Sequence, residues 1–245
     1  MKIIAELHTH SNEFCGHAYV SIDEEVAIAK EFGMKFFATT NHAPGDEDAP
    51  ISFYMNNRSR KYDDITFLAG IEADLRDLKG GLDMAPSDLL LLDFVIVSMH
   101  AGALSPDYPD YTEGLLAAVA NPAIDCMGHL GRDTRFHFDA EKVVAGAKKY
   151  GKLIEFNSWS LEEFQSYDSC GEIMDLCMKY GTECIVTSDA HWKERVCQYE
   201  PVLEFLVKKN FPEELIINAD EKKLSAFLAR RRKEKDKVRE TLFTV

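Results

Sequence analysis

Seven short apolar runs recur along this chain, and nearly every one leads into a histidine, glutamate or aspartate. They are MKIIAEL at 1–7, MKFFATT at 34–40, ITFLAGIE at 65–72, DFVIVSM at 93–99, AIDCMG at 123–128, KLIEFN at 152–157 and TECIVTS at 182–188. Their length and content suit buried strands. Helical signals lie between them. Ser21 and Glu24 offer a capping box for a helix from Ile22 to Phe32, with Gly33 placed to stop it. Further helices are expected within 51–64, near Ser87 to Leu91, from Tyr111 to Ala120, from Asp139 to Tyr150, and at roughly 193–209 and 220–239. This alternation predicts an α/β fold with a parallel sheet, which right-handed crossovers close into a barrel or near-barrel. An open doubly wound sheet is the alternative, but it would spread the strand ends that a barrel gathers on one rim. No eighth strand of comparable quality follows residue 188, and no linker, repeat or low-complexity segment divides 1–245, so a single domain is expected.

The strand ends carry the chemistry. His8 and His10 are one residue apart, and alternate residues of an extended strand share a side, so both imidazoles can reach one metal ion. His17 follows in a loop, His42 closes the second run, Glu72 the third, His100 the fourth, His129 the fifth, and Asp189 with His191 the seventh. Any one of these is explained by a satisfied core or surface side chain, but the regular placement at strand C-termini is not. Nine donors exceed the needs of one ion and suit two or three, with a carboxylate bridging neighbours.

Composition excludes some partners. A net charge of −14 and a pI near 5.0 oppose polyanion binding, so nucleic acid is not an expected partner. Cys15, Cys126, Cys170, Cys177, Cys184 and Cys197 form no CxxC pair, and there is no signal peptide or long apolar span. Reduced thiols in a cytoplasmic protein, off the membrane, are therefore expected. ARRRKEKDKVRE at 229–240 interleaves acids with its bases and suits a solvated helix with ion pairs.

The strand-end motifs, ELHTH, TTNH ending at His42, GIE ending at Glu72 with the later DFVIVSMH, and finally GHLG and TSDAH, resemble those of the polymerase and histidinol phosphatase superfamily, in its small single-domain phosphatase-like branch. The resemblance runs from residue 4 to about 220 and fills all nine ligand positions. It implies a distorted (β/α)7 TIM-like barrel holding three divalent metals, zinc first, with iron or manganese as alternatives. It further implies that His8, His10, Glu72 and Asp189 hold one ion, that Glu72 bridges to a second held by His100 and His129, and that His17, His42 and His191 hold the third. Glu6 and Asn41 stand where the family usually has acids beside the first two histidine motifs, and such groups orient a ligand imidazole. Leu130 stands where similar chains often carry proline. The resemblance gives Cys15 no ligand role, although a thiol there has the chemistry to hold a soft metal.

The expected activity is hydrolysis of a small phosphomonoester. The surplus positive charge of three ions attracts anions: the metals acidify bound water, and the resulting hydroxide attacks while the ions clamp the phosphoryl oxygens. Glu72 bridges, and Asp189 or a histidine such as His191 shuttles the proton. Arg132 and Arg135 are candidates for gripping phosphate and Asn157 for positioning it. Two readings compete. One is an amidohydrolase-like attack on a C–N bond, for which a bridging modified lysine is common and no strand here ends in Lys. The other is a domain whose metals are structural, which an eroded ligand set would favour. Trp192 is placed to wall the pocket, and His137 is expected to be structural or exposed. Barrels of this size often associate, which leaves a homo-oligomer open.

Overall fold

All seven apolar runs form strands, each paired in parallel with its neighbour in chain order: β1 Ala5–Glu6, β2 Phe36–Thr39, β3 Thr66–Asp74, β4 Phe94–Ser98, β5 Cys126–Met127, β6 Leu153–Asn157 and β7 Cys184–Thr187. The computed structural model describes residues 1–13, 15–43, 56, 60–105, 108 and 110–243. The helices are α1 Ile22–Glu31, α2 Pro86–Leu89, α3 Thr112–Ala120, α4 Ala140–Tyr150, α5 Ser158–Glu162, α6 Tyr167–Tyr180, α7 Glu200–Lys208 and α8 Glu221–Phe243. The sheet curls into a nearly closed barrel, a distorted (β/α)7 TIM-like architecture.

Local chemistry sets the helix ends. Ser21 and Glu24 form the reciprocal capping box at the start of α1, and Asp139 accepts from the Lys142 N–H to start α4. Residues 60–64 are not helical, with Asp64 at φ 69°, and the rest of the helix expected within 51–64, bar Asn56, lies outside the described residues. The helix expected over 193–209 is broken: a single 3-10 turn, Lys193–Arg195, is followed by Cys197 at φ 61°, a left-handed residue that ends one turn before α7 begins. The short α5 follows β6 directly, where no helix was expected.

Side chains sort by strand parity. Leu7, Phe36, Leu68, Phe94, Ile96, Cys126, Leu153 and Ile185 fill the barrel's lower interior, and Leu224 and Phe227 of α8 plug it from below. Two residues further along the same face, Ile96 gives way to Ser98 and Leu153 to Glu155, so the interior turns polar toward the strand C-termini. Gly128 is needed there, since a Cβ would lie 2.2 Å from Ser98 Oγ.

The seam between β7 and β1 has no ladder among the described residues. One bridge, Thr9 to Ala190, spans it. Below it the buried Asn218 side chain donates to Ala5 O (3.0 Å) and Val186 O (2.7 Å) and accepts from Val186 N (3.1 Å). A side-chain amide carries N–H donors and a C=O acceptor, the same group types as a peptide, so Asn218 serves in place of an eighth strand. Glu6 adds a second stitch, accepting from the N–H groups of His8 (3.1 Å) and Ser188 (3.2 Å) and from Tyr199 OH (2.9 Å). Burial pushes its carboxyl up to about 7 against those hydrogen bonds.

Candidate metal centre

Glu72 lies two residues before the end of β3 and is 1% exposed. Five imidazoles surround its carboxylate: His129 Nε2 at 2.8 Å, His42 Nδ1 at 3.1 Å, His10 Nε2 at 3.4 Å, His8 Nε2 at 3.5 Å and His100 Nε2 at 3.6 Å. Asp189 closes the ring, its Oδ1 3.2 Å from His10 and 3.5 Å from His8. His191 stacks on His10 with centroids 4.2 Å apart, and His17 lies 4.9 Å from His191 and 5.2 Å from His42 by the same measure. All nine side chains expected as ligands are thus brought together. His129 and Asp189 sit in the left-handed region, at φ 24° and 56°. Such backbone costs energy in a non-glycine residue and persists where its surroundings fix it.

Donor atoms fall into three groups, each within 4.8 Å: His8, His10 and Glu72; His42, Glu72 and His100; and His10, Cys15, His42 and His191. Glu72 is shared by the first two, as the resemblance implies, but the second group holds His42 where the resemblance has His129. The third joins His10 and Cys15 to His42 and His191 and leaves out His17, which is exposed. Buried imidazoles and carboxylates converging in this way fit divalent cations, since each group alone would be costly to bury without an opposite charge.

The sequence reading missed the side chains that hold these donors. His8 Nδ1 faces Glu155 Oε1 at 2.6 Å, and His100 Nδ1 faces Asp74 Oδ1 at 2.5 Å. A carboxylate on Nδ1 keeps the proton there and leaves Nε2 free to ligate. Glu155 also accepts from Thr187 Oγ1 (2.5 Å) and His129 N (2.8 Å). Both acids were detectable: Asp74 shares a strand face with Glu72, and Glu155 is an acid inside an otherwise apolar strand. The expectation that Glu6 and Asn41 orient ligand imidazoles is corrected. Glu6 holds the seam, and Asn41 holds Ser11, accepting from its N–H (2.7 Å) and donating to its Oγ (2.9 Å).

The charges follow from this packing. Burial opposes ionisation of Glu72, but His8 and His100 hold it well below the usual carboxylate range. Arg132 and His8 do the same for Asp189. Burial would also discharge His8 and His10, yet carboxylates at close range raise both: Glu155 acts first on His8 and Asp189 first on His10. His129 is lowered to about 4 by burial and Arg132, and His191 to about 2 by burial and His10, so both stay neutral and able to ligate. Burial pushes the Cys15 thiol up, but the neighbouring imidazoles of His10 and His17 bring it down to about 5.

A cleft of about 590 Å³ opens over this cluster, lined by Glu72, Asp74, Asp83, His100, Arg132, Asp189 and His191 among others. Tyr19, Trp192 and Trp159 form one wall, Trp192 stacked between the other two at 5.8 and 5.1 Å. Arg132 donates to Asp189 Oδ2 and to Ser160 Oγ (3.2 Å), which aims its guanidinium at the cluster. Asn157 caps α5 through its oxygen and donates to Asp189 Oδ2 at 3.2 Å, so it positions that carboxylate. Arg135 is not brought to the site. Asp133 holds its guanidinium on the surface, where the side chain is 62% exposed.

Residues 6–175 match the family model described as PHP domain. The chain is 37% identical over 234 residues to a probable phosphatase of Clostridium acetobutylicum, covering 93% of this chain and 95% of that one. It is 37% identical over 245 residues to a probable phosphatase of Clostridium novyi, covering 97% and 99%. Among solved structures, the histidinol phosphate phosphatase of Lactococcus lactis, complexed with zinc, L-histidinol and phosphate, superposes with a TM-score of 0.61 at 17% identity, covering 86% of this chain and 95% of that one. Family model, relatives and donor geometry agree, and the chain belongs to the PHP domain family.

Proposed function

We propose that this PHP-domain protein, a hydrolase of the phosphatase type, is a metal-dependent phosphoesterase that cleaves a small phosphomonoester at a trinuclear centre. One observation carries the reading: nine metal-type donors, Glu72 at their centre, gather at the floor of an open cleft that also presents Arg132. Bound divalent ions supply Lewis acidity and an acidified water. Zinc suits the imidazole-rich donor set, and the Lactococcus neighbour was solved with zinc and phosphate together.

The chain's own groups do the rest. Glu72 shares its two oxygens between donor groups and sets their spacing. Glu155 and Asp74 fix the tautomers of His8 and His100. Arg132 grips a phosphoryl oxygen through the planar guanidinium while Ser160 and Asp189 keep it aligned. Asp189, or His191 held neutral beside it, moves the proton. The Tyr19, Trp192 and Trp159 wall gives the organic part of the substrate an apolar surface. The amidohydrolase-like reading has less support, because Glu72 occupies the bridging place and the cleft lining includes no lysine among the described residues. Six free, buried cysteines suit a reducing cytoplasmic setting, and no helix among the described residues is long and apolar enough to cross a membrane.

The test is phosphate release from p-nitrophenyl phosphate and a panel of small phosphomonoesters, before and after chelation and metal add-back. Turnover that is lost on chelation and returns with metal supports the reading. A metal-loaded protein that releases phosphate from none of them contradicts it.

A further inference from the structure

Cys15 is the thiol of this chain that lines the cleft; the other five cysteines lie in the apolar cores. Its place is set by the loop after β1. Cys15 N donates to Ser11 O (3.1 Å), and Ala18 N donates to Cys15 O (3.1 Å). Asn41 grips Ser11 through both backbone and hydroxyl, which anchors the start of this turn. The result puts Sγ within 4.8 Å of donor atoms of His10, His42 and His191, and 3.5 Å from each ring nitrogen of His17. Tetrahedral zinc with bonds of about 2.3 Å to sulfur and 2.0–2.1 Å to nitrogen requires a sulfur-to-nitrogen separation of about 3.6 Å. The Cys15 to His17 distance already meets that requirement. His10 gives a second indication: it is fully buried and its Nδ1 has no hydrogen-bond partner beside this cluster.

We propose that Cys15 is a fourth protein ligand of the third ion, alongside His17, His42 and His191, so that this ion sits in a closed three-histidine, one-cysteine site. The proposal rests on the reading that the donor groups hold metal. Four protein ligands leave a tetrahedral ion no open position for substrate. The phosphoryl chemistry then falls to the two ions that share Glu72, and the third acts as a fixed positive charge beside them. A thiolate also selects for zinc, cobalt or iron over manganese and magnesium at that position, while the two oxygen-rich positions stay less selective.

The test uses cobalt(II) as the probe in the full chain. Absorption in the near ultraviolet reports thiolate-to-cobalt charge transfer, and elemental analysis gives cobalt per chain. The wild type is expected to show the band, and Cys15→Ser and Cys15→Ala to lose it together with about one equivalent of cobalt while keeping the wild-type far-ultraviolet circular dichroism. Having two variants guards against one failing to fold. A band that survives both substitutions, a cobalt-loaded wild type without a band, or a chain that takes up no cobalt overturns the proposal. Hydrolysis of p-nitrophenyl phosphate by the same samples separates the two readings. A band without turnover leaves the thiolate site standing and removes the phosphoesterase; turnover without the band does the reverse.

Discussion

The two ends of the barrel solve the problem of buried charge in opposite ways. At the lower end Asp125 is fully buried, and the chain supplies its counterions: Arg231 Nε at 2.8 Å and Lys235 Nζ at 2.5 Å, both from α8. Lys152 joins them, donating to Ile124 O (2.6 Å) and Asn121 O (2.9 Å). At the upper end Glu72 and Asp189 are equally buried, yet apart from Arg132 they face imidazoles, which are cations only when protonated. The lower cluster is complete as folded and acts as a clasp for the helix that plugs the barrel. On the reading proposed above, the upper one gains its full complement of positive charge when divalent cations replace protons on the histidines. Buried charge marks a functional site when the chain does not itself supply the fixed opposite charge.

Breaking each end in turn separates the two. Asp189→Ala removes a ligand and the partner of Arg132, and is expected to lower kcat/KM about a thousandfold, several kcal/mol of lost stabilisation, with the unfolding midpoint of the chelated protein little changed. Steady-state kinetics and thermal unfolding check it together. Asp125→Asn leaves Arg231 and Lys235 facing a neutral amide and is expected to cost about 3–5 kcal/mol of stability by denaturant titration, while activity per folded molecule stays at the wild-type level. A loss of activity without loss of stability would erase the contrast.

Subtler changes sharpen it. Glu155→Gln keeps the shape but loses the charge that holds His8, and is expected to weaken metal affinity or activity about 10–100-fold. Lys152 gives the smallest effect. Burial and Arg231 lower it to about 7 in the folded chain, whereas the unfolded chain holds that proton to about pH 10.4. The unfolded state therefore binds more protons above pH 7, and stability contributed at this position rises with pH from 7 toward about 10.4, while the raised His8 and His10 of the metal-free chain, and buried thiols above about 8.5, act in the opposite sense. Lys152→Met should flatten that rise; an unchanged slope in unfolding measured across this range would remove the lysine from the clasp.

The same contrast explains what the sequence revealed. The seven strands and the convergence of the nine donor side chains were legible because each run is apolar and short and all but the sixth are followed by a donor, a pattern that survives errors of one or two residues in strand ends. β1 and β5 proved only two residues long, because ladder bonding holds only where both neighbours stay in register. How the seam of the barrel is held was not legible: beside the Thr9–Ala190 bridge it rests on side chains, Asn218 in a 3-10 turn and Glu6. The basic run at 229–240 was expected to be solvated. Its spacing is the same whether a lysine faces water or a barrel, and the clue lay elsewhere, in the acid Asp125 inside the fifth apolar run. Of the two candidate phosphate grips, the turn through Asp133 decided which arginine faced the cleft, and sequence spacing does not encode that choice.

The central claim is that the upper cluster takes its missing positive charge from divalent metal. Its most direct test is elemental analysis of the purified chain, with thermal unfolding before chelation, after chelation and after zinc add-back. Near three zinc ions per chain, with a midpoint that falls on chelation and returns with zinc, is the predicted result. A chain that binds no metal even after reconstitution, and unfolds at the same temperature with or without zinc, would contradict it.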